Sequence, residues 1–293
     1  MIIDIIKVLI LSIVEGVTEF LPVSSTGHLI LVNQFVEMKP EGFSNAFNII
    51  IQLGAILSVV VIYFAKLNPW DYEKTYRYFP KNYKKLNGQS KFYYRLTHPD
   101  PKTIKLWKRV IVGILPAMVL GLLFDDLIDT YLFNPMVVGA MLLIWGIIII
   151  LVEKKNKNSK RFRHDNIANV PYRTVLLVGF FQTLAMVPGT SRSAATIMGA
   201  MILGLSRSAA TEFSFFLAIP TMLGATALKV FKNLAGFTGY QWFLIILGMV
   251  LSFIVAFVVI KKFLAYIRNH DFIPFGIYRI ILSIVVFIYF LFV

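Results

Sequence analysis

Within two apolar stretches of this 293-residue chain sit the ionisable residues Glu15, Glu19, His28 and Arg192. They sit among the hydroxyls of Ser24, Ser25, Thr26, Thr190, Ser191, Ser193 and Thr196. An ionisable group at membrane depth costs about 2.5 to 3.5 kcal/mol on insertion scales, so function is the default explanation for each. Glu15 and Glu19 are four apart and share one helix face. Two like charges so placed require a shared proton, a cation or an arginine. Arg192 is one candidate partner, and a hard divalent cation held by the carboxylates and by phosphate oxygens is another. His28 lies beyond Pro22, at the start of a half-helix. An isolated histidine of this kind is more often a satisfied buried residue than a catalyst, and its case rests on that position.

The hydroxyl clusters indicate what such a site would hold. Ser24 to Gly27 follow Pro22, and Thr190 to Ser193 follow Pro188 and Gly189. Each cluster caps a half-helix whose unpaired N–H groups and positive dipole end favour phosphate. Gly27 and Gly189 permit tight turns and close backbone approach. The planar guanidinium of Arg192 can grip phosphate oxygens in bidentate fashion. If the two turns meet, the site combines carboxylates, a hydroxyl, an imidazole and an arginine, a set suited to phosphoryl transfer.

The elements that must position these groups belong in a bilayer. Hydrophobic residues make up 58% of the chain and charged residues 15%, and the mean hydropathy is +0.74. Soluble domains carry about 25% charged residues. The absence of cysteine excludes disulfides, thiolate metal sites and thiol catalysis. Asp4 and Glu15 interrupt the first twenty residues, and neither a basic leader nor an A-x-A site is present, so these residues are read as mature chain.

Six segments read as full spans, near 45–65, 107–124, 135–153, 213–231, 240–260 and 274–293. Four shorter stretches, about 2–20 with 24–35 and 174–187 with 192–204, are broken at Pro22 and Pro188. A stretch of about 12 residues rises only ~18 Å, too little for a ~30 Å core. Each pair therefore reads as a re-entrant helical hairpin whose turn lines a polar cavity. The fold expected is all-α and polytopic, with six transmembrane helices and two re-entrant hairpins.

Lys and Arg concentrate in 66–109, 154–173 and 261–271, while 125–134 carries Asp125, Asp126 and Asp129. The positive-inside rule makes the basic side cytoplasmic and places both termini, and the opening of the first hairpin, outside. The net charge of +14 is then an orientation signal and not a nucleic-acid surface. The basic, tyrosine-rich loop 66–105 is suited to lying on an anionic inner leaflet. Arg207 and Arg279, near cytoplasmic helix ends, are expected to snorkel. Pro22-Val-Ser-Ser-Thr aligns with Pro188-Gly-Thr-Ser-Arg at an offset of 166, which also aligns Ala46-Phe47 with Glu212-Phe213. Three spans separate the hairpins, so the second copy is inverted, as in many transporters. The division expected is a first repeat over 1–153, a basic linker over 154–173 and a second repeat over 174–293.

The run Glu15-Gly-Val-Thr-Glu-Phe-Leu-Pro-Val-Ser-Ser-Thr-Gly-His28 and the run Pro188-Gly-Thr-Ser-Arg-Ser-Ala-Ala-Thr196 resemble the two signature motifs of the undecaprenyl-diphosphate phosphatases, the bacitracin-resistance family. The likeness covers essentially the whole chain, including Glu212-Phe-Ser-Phe-Phe-Leu-Ala-Ile-Pro220. It implies a bacterial inner-membrane enzyme that removes the terminal phosphate of a C55 isoprenyl diphosphate, returning the carrier to peptidoglycan and envelope synthesis. It further implies a divalent cation, Mg2+ or Ca2+, a homodimer, and bacitracin resistance on overproduction. By the same resemblance, Glu15 and Glu19 bind the cation or act as acid and base, and Arg192 holds the diphosphate. Ser25 is the preferred nucleophile, with His28 as general acid/base or as the nucleophile itself. Ser24, Thr26, Gly27, Thr190, Ser191 and Ser193 would hydrogen-bond phosphate.

Two other readings compete. Inverted repeats and broken helices suit a lipid-phosphate or anion transporter equally well. A carrier has less need of paired carboxylates with a serine and a histidine. The other large class of membrane lipid phosphatases places a second histidine six residues after its arginine, where this chain has Met198.

Overall fold

The computed structural model describes residues 1–36, 38–75, 79, 83, 86–157, 164–233 and 236–292. The chain runs through α1 (Ile2–Thr18), α2 (Ser25–Val36) and α3 (Glu41–Ile62). The short α4 (Phe64–Leu67), α5 (Tyr72–Thr75) and α6 (Gly88–Thr97) follow, then α7 (Pro101–Tyr131) and α8 (Pro135–Lys157). It continues as α9 (Tyr172–Thr183), α10 (Arg192–Ile202), α11 (Arg207–Asn233), α12 (Gly239–Ile267) and α13 (Ile273–Phe292). Side chains that take up free N–H groups mark several of the starts. Asp100 accepts from Thr103 N at 2.8 Å ahead of α7, where Pro101 fills the first turn. Thr238 and Gln241 form a reciprocal capping box ahead of α12.

Among the described residues, five helices are long and apolar enough to cross a bilayer: α3, α7, α8, α12 and α13. The protein is a helical, polytopic membrane protein. The sixth span expected, 213–231, lies in α11, which is not among the five. Lys229 is the one charged residue within 213–231, and the side chains of 228, 229 and 231–233 lie outside the described residues. Phe213, Phe215, Phe216, Leu217 and Ala218 are consecutively buried apart from the equally buried Ser214, so this part of α11 is enclosed by protein on every side. The other long helices keep apolar stripes facing outward, such as Ile246, Val250 and Ile254 of α12 and Ile281, Ile284 and Ile288 of α13. That spacing is the lipid-facing side of a helix.

α1 and α3 pack on α12, α9 and α11 pack on α7, α8 packs on α13, and α3 on α11. Helices from the two halves of the chain are therefore interleaved. Close approach depends on small residues: a Cβ on Gly146 would lie 2.8 Å from the carbonyl of Gly276, and the reverse holds equally. The stretch expected as a linker begins as the end of α8, and beyond the undescribed 158–163 it forms a 3-10 turn over Ile167–Asn169 with Ile167 buried. Arg207 does not snorkel freely. It donates to buried Glu153 from Nε at 2.9 Å and from Nη2 at 2.6 Å, and Glu153 also accepts from Phe272 N at 3.0 Å. The side chains of Asp125, Asp126 and Asp129 lie outside the described residues, as do Tyr76 and Tyr78 of the basic loop.

Candidate active site

The turn from α1 to α2 and the turn from α9 to α10 are built alike. Ser24 and Ser191 each stand immediately before a helix with φ of 74° and 70°. Non-glycine residues rarely occupy this left-handed region, and those that do gather at functional sites. Ser24 Oγ accepts from Gly27 N at 3.2 Å, and Ser191 Oγ accepts from Ala194 N at 3.3 Å. Each serine thus caps the half-helix that follows it. Paired by this geometry, Ser24 corresponds to Ser191, one residue out of register with the proline alignment expected from sequence. Ser25 then corresponds to Arg192.

Gly189 adopts φ +90°, and a Cβ there would lie 2.6 Å from Val138 O, which bears out its reading as a tight-turn residue. Gly27 is different. It lies inside the first turn of α2, where a Cβ would meet Leu142 of α8 at 3.1 Å, so its smallness serves packing and not the turn.

The two turns meet at Glu19, which continues the helical path of α1 and is 8% exposed. Its Oε2 accepts from Ser25 Oγ at 2.7 Å, and its Oε1 accepts from Arg192 Nη2 at 2.9 Å. Charge-assisted bonds of this kind are stronger than neutral ones. Arg192 also donates from Nη1 to Ser214 O at 3.2 Å and lies over the ring of Phe20 at 5.7 Å. Ser193 Oγ donates to Leu21 O at 2.9 Å and lies 3.0 Å from Ser191 Oγ, adding a second tie between the turns. One turn earlier on α1, Glu15 is fully buried and neither carboxylate oxygen has a hydrogen-bond partner. Thr190 Oγ1 is likewise buried without a partner. Orphaned buried polar atoms are rare in folded proteins and call for a reason.

Both ring nitrogens of His28 are engaged by groups other than Ser25. Its Nδ1 lies 2.7 Å from Ser24 O and its Nε2 lies 2.7 Å from the hydroxyl of Tyr278. A carbonyl can only accept, so Nδ1 carries a proton, and in the neutral ring Nε2 accepts from the phenol. Thr26 shares this first turn of α2.

A family model described as "Bacitracin resistance protein BacA" matches residues 8–285. The chain belongs to that family. It is similar to "Undecaprenyl-diphosphatase 1" of Clostridioides difficile (strain 630), with 47% identity covering 98% of this chain and 96% of the relative. It is also similar to the "Undecaprenyl-diphosphatase" of Fusobacterium nucleatum subsp. nucleatum, 50% identical over 95% of this chain and 98% of that one. A third relative of that name, from Limosilactobacillus fermentum, is 45% identical over 98% of both chains.

In this member of the BacA family, the residue that sequence reasoning misplaced is Arg279. Expected to snorkel, it is instead fully buried. Its Nη2 donates to Gly189 O at 2.8 Å, Thr190 O at 3.1 Å and Met141 O at 3.3 Å, and its Nη1 donates to Pro22 O at 3.4 Å. One guanidinium therefore holds carbonyls of both turns. The available signal was Arg279 itself, a charge within an apolar run whose partners are backbone atoms and so leave no mark on residue type.

The donor set can be compared with the divalent cation that the resemblance implies. Among the described residues, no group of three or more His, Cys, Asp or Glu converges to hold a metal ion. The two unpartnered oxygens of buried Glu15 are hard ligands on the same helix face as Glu19. Mg2+ is commonly bound through one or two carboxylates, with the other positions taken by substrate phosphates and water. The residues present fit that mode.

Proposed function

We propose that this protein is an integral membrane phosphatase that hydrolyses undecaprenyl diphosphate to undecaprenyl phosphate and inorganic phosphate, recycling the lipid carrier for peptidoglycan and envelope synthesis. The observation that carries the reading is the junction at Glu19, where one carboxylate takes Ser25 on one oxygen and Arg192 on the other. Family membership and the names of relatives matched over nearly their whole length support it.

The arrangement lends itself to nucleophilic catalysis. Ser25 Oγ attacks the terminal phosphorus as its proton passes to Glu19 Oε2. The bond from that phosphorus to the bridging oxygen breaks, and undecaprenyl phosphate leaves. Water then attacks the phosphoserine: the bond from Ser25 Oγ to phosphorus breaks, Glu19 returns its proton to Ser25 Oγ, and inorganic phosphate leaves with the hydrogens of the water. Arg192, the Thr190 hydroxyl and the N–H groups at the starts of α2 and α10 stabilise the phosphoryl oxygens. Ser24, Thr26, Gly27, Ser191 and Ser193 shape the two turns that present those groups. Glu15, with Glu19, would hold Mg2+ or Ca2+, which supplies charge neutralisation to the diphosphate when bound. Serine is favoured over His28 as nucleophile because the His28 Nε2 lone pair is already engaged by Tyr278.

The finer architecture belongs to the same proposal: two inverted repeats, 1–153 and 174–293, joined by a basic segment, each opening with a re-entrant hairpin. The packing of α1 and α3 on α12, mirrored by α9 and α11 on α7, supports it, as do the matched serine turns. The Lys/Arg distribution favours both termini outside and a site open to the external face of the bacterial inner membrane. The functional unit is a homodimer acting on a polyprenyl diphosphate. A transporter of the same lipid has no use for a serine held on a carboxylate.

The test is phosphate release from a long-chain prenyl diphosphate by purified protein in detergent, with and without chelator. Release that stops on chelation, and in Glu19→Gln, Ser25→Ala and Arg192→Ala, is the result expected. Folded wild-type protein releasing no phosphate across several metals and prenyl diphosphates would overturn the phosphatase reading.

A further inference from the structure

The last helix reaches the site with two consecutive residues that do different work. Arg279 points inward to the carbonyls of both turns. Tyr278 stays at the rim, 44% exposed, with its hydroxyl 2.7 Å from His28 Nε2. The two rings are stacked at a centroid distance of 5.6 Å and an interplanar angle of 9°. His28 closes the chain through Nδ1 on Ser24 O, the carbonyl of the residue with left-handed φ immediately before Ser25. A continuous path therefore runs from the Tyr278 hydroxyl through His28 to the turn that aims Ser25 at Glu19.

From this path we infer that Tyr278 is a positioning residue of the hydrolytic site. Its hydroxyl anchors Nε2, its ring face sets the imidazole plane, and the His28–Ser24 bond transmits both constraints to the strained turn. The Ser24 carbonyl puts the proton on Nδ1, and the Tyr278 hydroxyl, donating to the Nε2 lone pair that this leaves, holds the ring at its other end. The exposed position of Tyr278 is consistent with a supporting role at the edge of the site and not with a core-packing one. Phe35 of α2 and Tyr289 of α13, ring to ring at 5.9 Å, give the same two helices a second contact further along. Tyr278 is thus not the sole means by which α2 is held against α13, so its hydroxyl can be removed without freeing the helix.

This inference rests on the phosphatase reading, and the experiment separates the two. Tyr278→Phe keeps the ring and removes only the hydroxyl. The expected result is a fall in kcat of about tenfold, the scale at which removing an orienting partner usually acts, with KM changed less than twofold. In a His28→Gln background the same substitution is expected to change kcat less than twofold, because its effect passes through the imidazole. The second readout needs no turnover. In protein labelled with 15N-histidine, the signals that disappear in His28→Gln are expected to report a protonated Nδ1 and an unprotonated, hydrogen-bonded Nε2 in wild type; in Tyr278→Phe the Nε2 signal is expected to move to that of a nitrogen with no donor on it while Nδ1 stays protonated. An unchanged His28 Nε2 signal in Tyr278→Phe would overturn the inference even if the wild type proved inactive. An equal fall in kcat in both backgrounds would overturn it in an active enzyme.

Discussion

α2 and α10 begin with the same turn and end in opposite surroundings. Each follows a serine of left-handed φ whose hydroxyl caps the helix. From Ser193 to Met201 every residue of α10 is buried, with α9, α11 and α8 around it. In α2 only Gly27 and Leu29 are buried, and the helix rests on α1 and lightly on α8. The residues that would do covalent chemistry, Ser25 and His28, lie on the exposed helix. The residue that would hold charge, Arg192, lies on the enclosed one. A fixed cation pre-organised in protein costs no rearrangement during reaction, while a nucleophile on an open helix can be reached by a lipid headgroup arriving from the bilayer side.

The contrast can be broken most severely at the chemistry. Ser25→Ala and Glu19→Gln are expected to lower the rate of phosphate release by about a thousandfold or more, within the range for loss of a nucleophile or its base. Arg192→Lys is expected to cost about a hundredfold, since an ammonium cannot pair with Glu19 and present a planar fork together. Ser193→Ala, a tie to Leu21 O and not a reacting group, is expected to cost about tenfold or less. All four are read from initial rates on purified protein whose folding is checked by size-exclusion elution. A Ser193→Ala loss equal to that of Ser25→Ala would remove the distinction between the two helices.

Stability should divide the helices the other way. Met198→Ala in α10 is expected to cost about 2 to 4 kcal/mol in detergent unfolding, as for a fully buried side chain. Leu31→Ala in half-buried α2 is expected to cost less than about 1 kcal/mol. Arg279→Met, which leaves carbonyls of both turns without a donor, is expected to cost about 3 kcal/mol and to lower activity with it. The smallest effect expected is in hydrogen exchange, with amides of α2 exchanging faster than those of α10 in the unaltered protein.

The charged residues that gather at the two turns were legible in the sequence because charge in an apolar run is costly and therefore conspicuous. Glu15, Glu19 and Arg192 were found that way, and Pro22 and Pro188 marked the turns. The sequence did not reveal the register of the turns, because Ser24 and Ser191 take a backbone conformation that their residue type does not announce. It also did not show whether a charge faces in or out. Arg279 and Arg207 occupy similar settings near helix ends in sequence, yet one is fully buried with its Nη groups on carbonyls of both turns and the other is paired with Glu153. The expected span at 213–231 shows a related limit of hydropathy, which measures how apolar a helix is and not what surrounds it: Phe213 to Ala218 are enclosed by protein.

The central claim is that Ser25, held by Glu19, attacks the terminal phosphorus. Its most direct test is to mix the protein with prenyl diphosphate labelled on the terminal phosphate and quench within one turnover. Half of the sample is quenched in acid and half in alkali, and the labelled peptide is identified by mass spectrometry. The account expects an acid-stable phosphoserine at Ser25 that accumulates in wild type and is absent from Ser25→Ala. An acid-labile, alkali-stable phosphohistidine at His28 would contradict it.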